Sequence, residues 1–412
     1  MSWDALCARG LVEDVVVAGE FADLIKRRTL RIYQGFDPTS PNLHLGHMVS
    51  LRILRWFQLH GHHVTMLLGD FTGRIGDPTD KEATRQQLTH EQVTDNASTY
   101  QAQASRFLSF EGDNAADVRF NSEWLDPLSF KEVIEVAATF TVQQMLERDM
   151  FQDRLRAHRP IGLHEFLYPL MQGYDSVALR VDVELGGRDQ LFNMMVGRQL
   201  VRTMQGRVKH VITTPLLPGL DGKKMGKTER NSVHLTEPAL AMFAKLTLVD
   251  DDLLPLFLSL LTDVPDDDIV RVRARLQSAE VDLRDTRELF AHQLVSQLHG
   301  VPAADDALAD FRRSQSTRSA DENLPTAKVD DQSLSLAEVV VRSGLASSLG
   351  DARRVIAQGG VRINGVRQDV ANGPIEWLLL DGSLLRVGRR GSVRLLVSGE
   401  RDSRHADTTS LD

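Results

Sequence analysis

The sequence predicts an α/β protein that opens with a doubly wound parallel sheet, and three neighbouring segments carry this prediction. Residues 31–36 form a short apolar run that ends in a loop rich in turn-forming residues. Residues 45–60 then show the apolar spacing of a helix, and residues 63–68 form a second β-like run. This order of strand, loop, helix and strand is typical of a Rossmann-like parallel sheet covered by helices. Such sheets bind ligands at the carboxyl ends of their strands.

The rest of the sequence predicts two further domains. Residues 118–120, 181–185 and 210–213 are additional strand candidates separated by helical pattern, so the sheet domain extends over residues 1–230. The pattern then predicts an α-helical domain at 231–325, a linker at 326–333, a small α+β domain at 334–399 and a disordered tail at 400–412.

The composition fits a globular protein of two or three domains. Of 412 residues, 42% are apolar and 25% are charged, and no apolar run approaches the length of a membrane span. The single cysteine, Cys7, excludes a disulfide framework within one chain, and a reducing cytoplasm is expected. The net charge of −9 argues against nucleic-acid binding over the whole surface, although individual segments can differ.

The first candidate site is His44-Leu45-Gly46-His47, where the first predicted loop becomes a helix. A helix start offers free backbone N–H groups and a partial positive charge, which suit phosphate. Two imidazoles three residues apart lie on one helical face and can donate hydrogen bonds to phosphoryl oxygens. Alone, the pattern also fits two ordinary histidines on a helix.

The second candidate site is the lysine loop, residues 223–228, with the sequence Lys-Lys-Met-Gly-Lys-Thr. It follows the glycine-containing segment 218–222, so a loop able to move is expected. Three lysines on such a loop can close over a triphosphate and offset the charge of departing pyrophosphate. Alone, the loop also fits a solvated basic turn.

Together the two patterns resemble the His-x-Gly-His and Lys-Met-Ser-Lys-Ser signatures of class I aminoacyl-tRNA synthetases. Gly226 stands where the lysine signature has serine, as in some tyrosine-specific members. Further blocks in the first 230 residues resemble bacterial tyrosyl-tRNA synthetases in family order; these blocks are 33–39, 76–78, 168–175 and 186–190. The resemblance implies activation of tyrosine by ATP and its transfer to tRNA(Tyr).

The resemblance also assigns roles to individual residues. It gives Tyr33 and Asp175 the substrate phenol, and it implies a tyrosine site of Tyr33, Asp77, Asn121, Tyr168, Gln172, Asp175 and Gln190. It implies an ATP site of Asp37, Gly46, Ser50, Gly187, Asp189, Leu217, Lys224 and Lys227. Catalysis is assigned to Thr39, His44, His47, Lys224 and Lys227.

The last domain predicts an RNA partner despite the acidic total. Residues 334–396 contain nine arginines and five acidic residues, a net charge of +4. Arginine suits phosphate and base recognition, and the segment resembles an S4-type RNA-binding domain. Its candidate RNA-binding residues are Arg353, Arg354, Arg362 and Arg367.

Other expectations concern partners and ions. Magnesium is expected only with ATP, held chiefly by phosphates, and neither a tightly bound cofactor nor a protein metal site is predicted. The run His60-Gly61-His62-His63 lacks a carboxylate at ligand spacing. Members of the resembled family are homodimers, which implies an interface within the inserted region near residues 130–164. Two alternatives stay open: a tryptophan-specific relative and a catalytically inactive RNA-binding paralogue.

Overall fold

The computed structural model describes residues 2–77, 88–225, 231–277, 283–320, 325–329, 334–364, 366–368, 371, 382–388 and 390–397. Their backbone divides into two compact units, Met1–Pro238 with Leu248–Leu298, and Ala239–Thr247 with His299–Asp412. No helix in these ranges is long and apolar enough to cross a membrane.

The described strands form two sheets. In chain order they are β1 (Asp14–Val15), β2 (Arg31–Phe36), β3 (His63–Leu68), β4 (Asp117–Phe120), β5 (Val183–Gly187), β6 (His210–Thr214), β7 (Thr326–Val329), β8 (Val361–Ile363), β9 (Val366–Arg367), β10 (Leu384–Val387) and β11 (Gly391–Val397). The first unit holds a six-stranded sheet in the order β1-β6-β5-β2-β3-β4, and the second a five-stranded sheet in the order β7-β11-β10-β8-β9.

The described helices include those between the strands of the first sheet and further helices after its last strand. They are α1 (Trp3–Ala8), α2 (Ala18–Arg27), α3 (Leu45–Leu59), α4 (Thr72–Ile75), α5 (His90–Ala97), α6 (Tyr100–Ala104), α7 (Ser122–Leu125), α8 (Phe130–Ala137), α9 (Val142–Leu146), α10 (Asp149–Arg156), α11 (Leu163–Ala178), α12 (Leu191–Gln205), α13 (Ala239–Leu246), α14 (Leu254–Leu261), α15 (Asp266–Leu276), α16 (Arg284–His299), α17 (Val301–Ala320), α18 (Leu336–Arg342) and α19 (Leu349–Ala357).

The first sheet confirms the predicted doubly wound fold. Strands β2 to β6 run parallel, and only the short edge strand β1 pairs antiparallel, with β6. The chain adds β3 and β4 on one side of β2 and then returns to add β5 and β6 on the other. The winding direction therefore reverses between β2 and β5, which is where ligands bind in such sheets.

Helices α11 and α12 pack at a contact between two glycines. A Cβ built on Gly173 would lie 3.0 Å from the backbone nitrogen of Gly197 and 3.1 Å from its Cα. Only glycine at these positions lets the two backbones approach so closely. The contact sets the spacing between α11, which carries Tyr168, Gln172 and Asp175, and α12, whose N-cap residue is Gln190.

The second unit contains a separate apolar core under its own sheet. Residues of α18, α19 and strands β7, β8, β10 and β11 build it, among them the fully buried Val339, Ile356, Val361 and Leu385. Helix α18 ends just before Gly344, whose φ of +75° favours glycine and separates α18 from α19.

The prediction of a linker at 326–333 is wrong for the first part of that segment. Its first four residues form β7, which pairs parallel with β11 from Thr326 to Val329. Ala327 and Val329 face the core in alternation with exposed neighbours, so these residues belong to the second sheet. The other domain boundaries stay predictions, and the expected tail at 400–412 lies outside the described residues.

Candidate active site

The predicted site residues of the first unit follow the carboxyl ends of its parallel strands. Asp37 comes directly after β2, Asn121 directly after β4, Gly187 ends β5, and Leu217 comes shortly after β6. Because carboxyl ends of parallel strands meet at one edge, the fold collects these residues from distant parts of the sequence.

The two histidines begin α3 and fix each other's orientation. His44 is the N-cap residue, and its Nδ1 accepts the Gly46 N–H at 3.1 Å. His47 Nδ1 accepts the His44 N–H, also at 3.1 Å. Since both Nδ1 atoms are acceptors, each neutral ring carries its proton on Nε2.

Burial keeps both rings neutral. It lowers the pKa of His44 to about 2, and the adjacent His47 and His234 contribute to this shift. It lowers the pKa of His47 to about 4, with His234 acting in the same direction and a backbone hydrogen bond opposing it. The start of α3 therefore presents two uncharged imidazoles as Nε2–H donors.

The lysine loop returns to this same helix start, although it lies about 180 residues later in the sequence. The Leu45 N–H donates to the Val233 carbonyl at 3.0 Å, and the Leu235 N–H donates to the Leu43 carbonyl at 2.9 Å. Within the loop itself, Met225 Sδ lies 4.0 Å from a Cβ built on Gly46. The two signatures are therefore neighbours in space, and the exposed Lys224 directly precedes Met225.

Asn231, which was not predicted as a site residue, holds the base of the lysine loop. Its buried Nδ2 donates to Asp221 Oδ1 at 2.7 Å and to the Lys224 carbonyl at 3.2 Å. A Cβ on Gly219 would lie 2.2 Å from that Nδ2, so glycine is required there. The predicted residue Lys227 and the neighbouring Gly226 lie outside the described residues.

A hydrogen-bonded chain connects Asp37 to Asp175. Asp37 accepts the Tyr168 hydroxyl and the Thr72 hydroxyl, each at 2.7 Å. Asn121 Nδ2 donates to Thr72 Oγ1 at 2.9 Å and to Asp175 Oδ2 at 3.3 Å. Predicted residues of the nucleotide and amino-acid sites are thus linked through Thr72, which was not predicted.

Asp175 is a buried carboxyl group with neutral hydrogen-bond donors. Trp124 Nε1 donates to its Oδ1 at 2.7 Å, in addition to the contact from Asn121. Burial raises the pKa of Asp175 well above its usual value, and the two donors oppose that rise. The carboxyl group is thereby suited to hydrogen bonding with a neutral hydroxyl.

Tyr33 lies at one end of a second buried network. Its hydroxyl is 2.8 Å from Ser176 Oγ, and burial raises the pKa of Tyr33 well above its usual value. Ser176 Oγ is within 3.1 Å of Glu184 Oε2 and accepts from Lys209 Nζ at 2.9 Å. Lys209 also forms a fully buried ion pair with Glu184. A charged pair therefore lies directly behind the Tyr33 phenol.

A third set of contacts joins Gln172, Gln190 and Asp77. The buried Asn193 donates from Nδ2 to Gln172 Oε1 at 2.8 Å and to Gln190 Oε1 at 3.0 Å. Gln190 Nε2 donates to Asp77 Oδ2 at 2.7 Å, and Arg148 Nη2 donates to Asp77 Oδ1 at 3.1 Å. One amide from α12 thus orients two predicted glutamines.

The remaining predicted residues lie at the same edge. Ser50 Oγ donates to the His47 carbonyl at 2.9 Å, and the Thr39 N–H donates to the Asp37 carbonyl at 2.7 Å. A Cβ on Gly187 would lie 2.5 Å from Asp189 Oδ1, so the absence of a side chain makes room for that carboxylate. Leu217 is buried.

Comparison with known proteins agrees with this geometry. Residues 26–314 match the family of class I tRNA synthetases (W and Y), and residues 316–376 match the tyrosine–tRNA ligase SYY-like C-terminal domain. The tyrosine–tRNA ligase of Moorella thermoacetica is 42% identical over 369 residues, which cover 89% of this chain and 88% of the relative. That of Thermotoga maritima is 40% identical over 387 residues, covering 93% and 95%.

The chain belongs to the tyrosine–tRNA ligase family. Among solved structures, a C-terminally truncated mitochondrial tyrosyl-tRNA synthetase of Coccidioides posadasii matches with a TM-score of 0.61 at 27% identity. The match covers 74% of this chain and 90% of that one. Family membership confirms the resemblance drawn from the signatures.

In the second unit, the predicted arginines lie on α19 and on the sheet. Arg353 and Arg354 are exposed on α19, and Arg354 Nη2 donates to Asp351 Oδ1 at 2.8 Å. The Arg390 guanidinium also bonds Asp351, and the two arginines hold the pKa of that carboxyl below its usual range. Arg354 is therefore partly neutralised by a neighbour of its own helix.

Arg362 and Arg367 are directly paired across strands β8 and β9, and Arg386 on β10 pairs with Arg362 from the other side. Directly opposed residues in antiparallel strands point to the same face, so the three side chains form a row. Like charges in such a row repel one another unless an anion lies across them. Arg386 was missed because its partner strand cannot be identified from the sequence.

Several site residues of the first unit were also missed. Ser176 and Asn193 lie close to predicted residues in the sequence, and proximity to Asp175 and Gln190 could have suggested them. Lys209 directly precedes the β-branched strand β6, and a lysine at a strand end ordinarily faces solvent. Its burial depends on Glu184 from the neighbouring strand, which no local pattern indicates.

Proposed function

We propose that this chain activates L-tyrosine with ATP to tyrosyl-adenylate and transfers the tyrosyl group to the 3′ end of tRNA(Tyr). The observation that carries the proposal is the meeting of the lysine loop with the paired histidines at the start of α3. A triphosphate over that helix start has two imidazole donors and a lysine-bearing loop around it, whereas the first backbone N–H groups of α3 already donate within the protein.

In the first step, the tyrosine carboxylate attacks the α-phosphorus of ATP and pyrophosphate leaves. A ribose hydroxyl at the tRNA 3′ end then attacks the tyrosyl carbonyl, and AMP leaves. Neither step needs a nucleophile from the protein, so catalysis comes from positioning and charge stabilisation. We assign this to Thr39, His44, His47, Lys224 and Lys227. The neutral Nε2–H donors of the histidines support their part, because they can bond phosphoryl oxygens without a prior change of protonation.

We assign the nucleotide itself to Asp37, Gly46, Ser50, Gly187, Asp189, Leu217, Lys224 and Lys227. Magnesium accompanies ATP and is held chiefly by its phosphates. The described carboxylates support this division, because Asp37 is engaged by Tyr168 and Thr72, and Asp77 by Arg148 and Gln190.

We propose that the tyrosine substrate is bound by residues of the three buried networks. Tyr33 and Asp175 face the phenol hydroxyl, with Asn121 behind Asp175. Asp77, Tyr168 and Gln172 take the ammonium group, and Gln190 takes the carboxylate. A pocket whose polar groups match a hydroxyl rejects the analogue without it, since those groups would otherwise stay buried and unpaired. The burial of Tyr33 and Asp175 supports such discrimination.

We further propose that four arginines of the second unit bind tRNA, namely Arg353, Arg354, Arg362 and Arg367. The first unit presents exposed apolar side chains on α8 to α11, namely Phe130, Ile134, Val142, Leu155 and Leu163. Exposed apolar surface of this kind supports a homodimer interface at residues 130–164. Because its product feeds translation, we place the reaction in the cytoplasm.

The test is ATP–pyrophosphate exchange with tyrosine, phenylalanine or tryptophan as the only amino acid. Exchange with tyrosine alone is expected. Exchange with tryptophan would establish the tryptophan-specific alternative, and no exchange with any amino acid would establish an inactive RNA-binding paralogue. Lys224→Ala should slow exchange strongly with little change in tyrosine affinity, whereas Lys26→Ala, on the exposed face of α2, is the matched control.

A further inference from the structure

Four arginines line a pocket at the amino ends of the parallel strands. It lies at the opposite edge of the sheet from the proposed active site. This arginine pocket has a volume of about 370 Å³ and is lined by Arg28, Thr29, Arg31, His63, Arg180, Asp182 and Arg207. With His63 neutral, these residues carry a net charge of +3, whereas the whole chain carries −9. A concave cationic surface in an acidic protein favours an anionic ligand.

Two of the arginines build the wall of the pocket. Arg28 Nη2 and Arg207 Nη2 both donate to Asp182 Oδ1, at 3.0 and 2.8 Å. Asp182 is 4% exposed, and its Oδ2 accepts the Arg31 N–H at 3.0 Å. Arg207 also donates to the carbonyls of Arg180 and Val181. The contacts of the Asp182 carboxylate are thus internal to the protein, and they hold the guanidinium groups of Arg28 and Arg207 in the wall of the pocket.

The other two arginines take part in this wall through their backbone only. Within the ranges that the structure describes, the guanidinium groups of Arg31 and Arg180 form no ion pair or hydrogen bond, and both residues are exposed. Arg180 has a φ of +52°, in the left-handed region that favours glycine or asparagine. Arg180 directly follows the C-cap of α11, a position where glycine is usual, so the backbone does not account for the choice of arginine.

We propose that the arginine pocket binds a small multivalent phosphate anion, of the size of tripolyphosphate or the phosphate tail of a nucleotide. Guanidinium groups match phosphoryl oxygens as paired donors, and the Thr29 hydroxyl and the His63 ring add donors at the same rim. The pocket volume lies in the range of small-ligand sites. The lining residues, all of them described, include no phenyl, phenol or indole ring, so recognition is through phosphate.

The test is calorimetric titration of the full chain with sodium tripolyphosphate. Arg31→Gln and Arg180→Gly should each weaken binding about tenfold or more, because each removes a charge-assisted donor. Glycine at 180 suits the positive φ, so this variant should unfold at the same temperature or higher. The matched control is Arg273→Gln, an exposed arginine of α15, which should bind as the wild type does. Tyrosine-dependent exchange should be unchanged in all three variants.

Three outcomes would overturn the proposal. Equal tripolyphosphate affinity in the wild type and in both pocket variants would show that the anion does not bind in the arginine pocket. Loss of binding in Lys224→Ala alone would place the anion at the lysine loop instead. If the pocket variants weakened tRNA binding but not tripolyphosphate binding, the arginines would contact an RNA backbone and not a small anion.

Discussion

The Ser176 hydroxyl lies 2.8 Å from the phenol oxygen of Tyr33. The same hydroxyl accepts from Lys209, whose ammonium is fully buried against Glu184. The phenol end of the proposed tyrosine pocket is therefore supported by an ion pair that lies behind Ser176.

Removing one partner of this pair should destabilise the protein strongly. Lys209→Met leaves the buried Glu184 without its counter-charge, and we expect a loss of about 3–5 kcal/mol of unfolding free energy, measured by urea denaturation. The double variant Lys209→Met/Glu184→Gln should recover most of the loss. The exposed pair of Lys131 and Glu135 provides the control, since Lys131→Met should cost less than about 0.5 kcal/mol. A single variant as stable as the wild type would contradict this account.

The start of α3 predicts a pH dependence of stability. His47 has a pKa of about 4 when folded and about 6.5 when unfolded, so the unfolded chain binds the extra proton between these values. The contribution of His47 to the unfolding free energy is fully present at a pH well above 6.5. It is lost as the pH falls from 6.5 towards 4. For this residue, we expect a loss of about 1.5 kcal/mol between pH 6.5 and 5.

His47→Gln is the variant that isolates this contribution. Glutamine at the third helical position can keep the hydrogen bond to the His44 N–H, as in other capping boxes, but it does not titrate. Thermal unfolding from pH 7 to 5 should therefore show a shallower decline for the variant. Parallel curves for the two proteins would mean that His47 does not contribute to the decline.

The sequence was most informative where function imposes residue types on a short segment. His44, His47 and the lysine loop were predicted together, and the structure brings Met225 against Gly46. It was least informative where a residue's surroundings come from another strand. Lys209 is buried because Glu184 lies on the adjacent strand β5, and Arg386 joins a row because β10 pairs with β8. Strand β7 was missed because four residues after a proline are too few to establish a period.

Asn231 should affect the rate of activation and not the affinity for tyrosine. Asn231→Ala removes the donor that holds Asp221 to the Lys224 carbonyl, so the base of the lysine loop loses its fixed geometry. We expect kcat for tyrosine-dependent exchange to fall about tenfold, the cost of one buried hydrogen bond, with KM for tyrosine unchanged. A raised KM for tyrosine with an unchanged kcat would show that Asn231 acts elsewhere.

Arg386 should contribute to tRNA binding as we propose for Arg362 and Arg367, although it was not predicted. Arg386→Gln should weaken tRNA binding and reduce the slope of log affinity against log salt by about 1, as expected for one lost phosphate contact. Arg342→Gln, an exposed arginine at the end of α18, is the control and should leave the slope unchanged. Filter binding from 50 to about 300 mM salt measures both.

The crossing of α11 and α12 has a consequence for how this enzyme can evolve. A methyl group at position 197 would come within 2.5 Å of the Lys209 ammonium and 3.2 Å of the Gly173 Cα. One added carbon atom would push apart α11, which carries Gln172, and α12, which Gln190 directly precedes. A homologue with a different substrate should therefore differ in the side chains around this crossing. It should keep glycine at both 173 and 197.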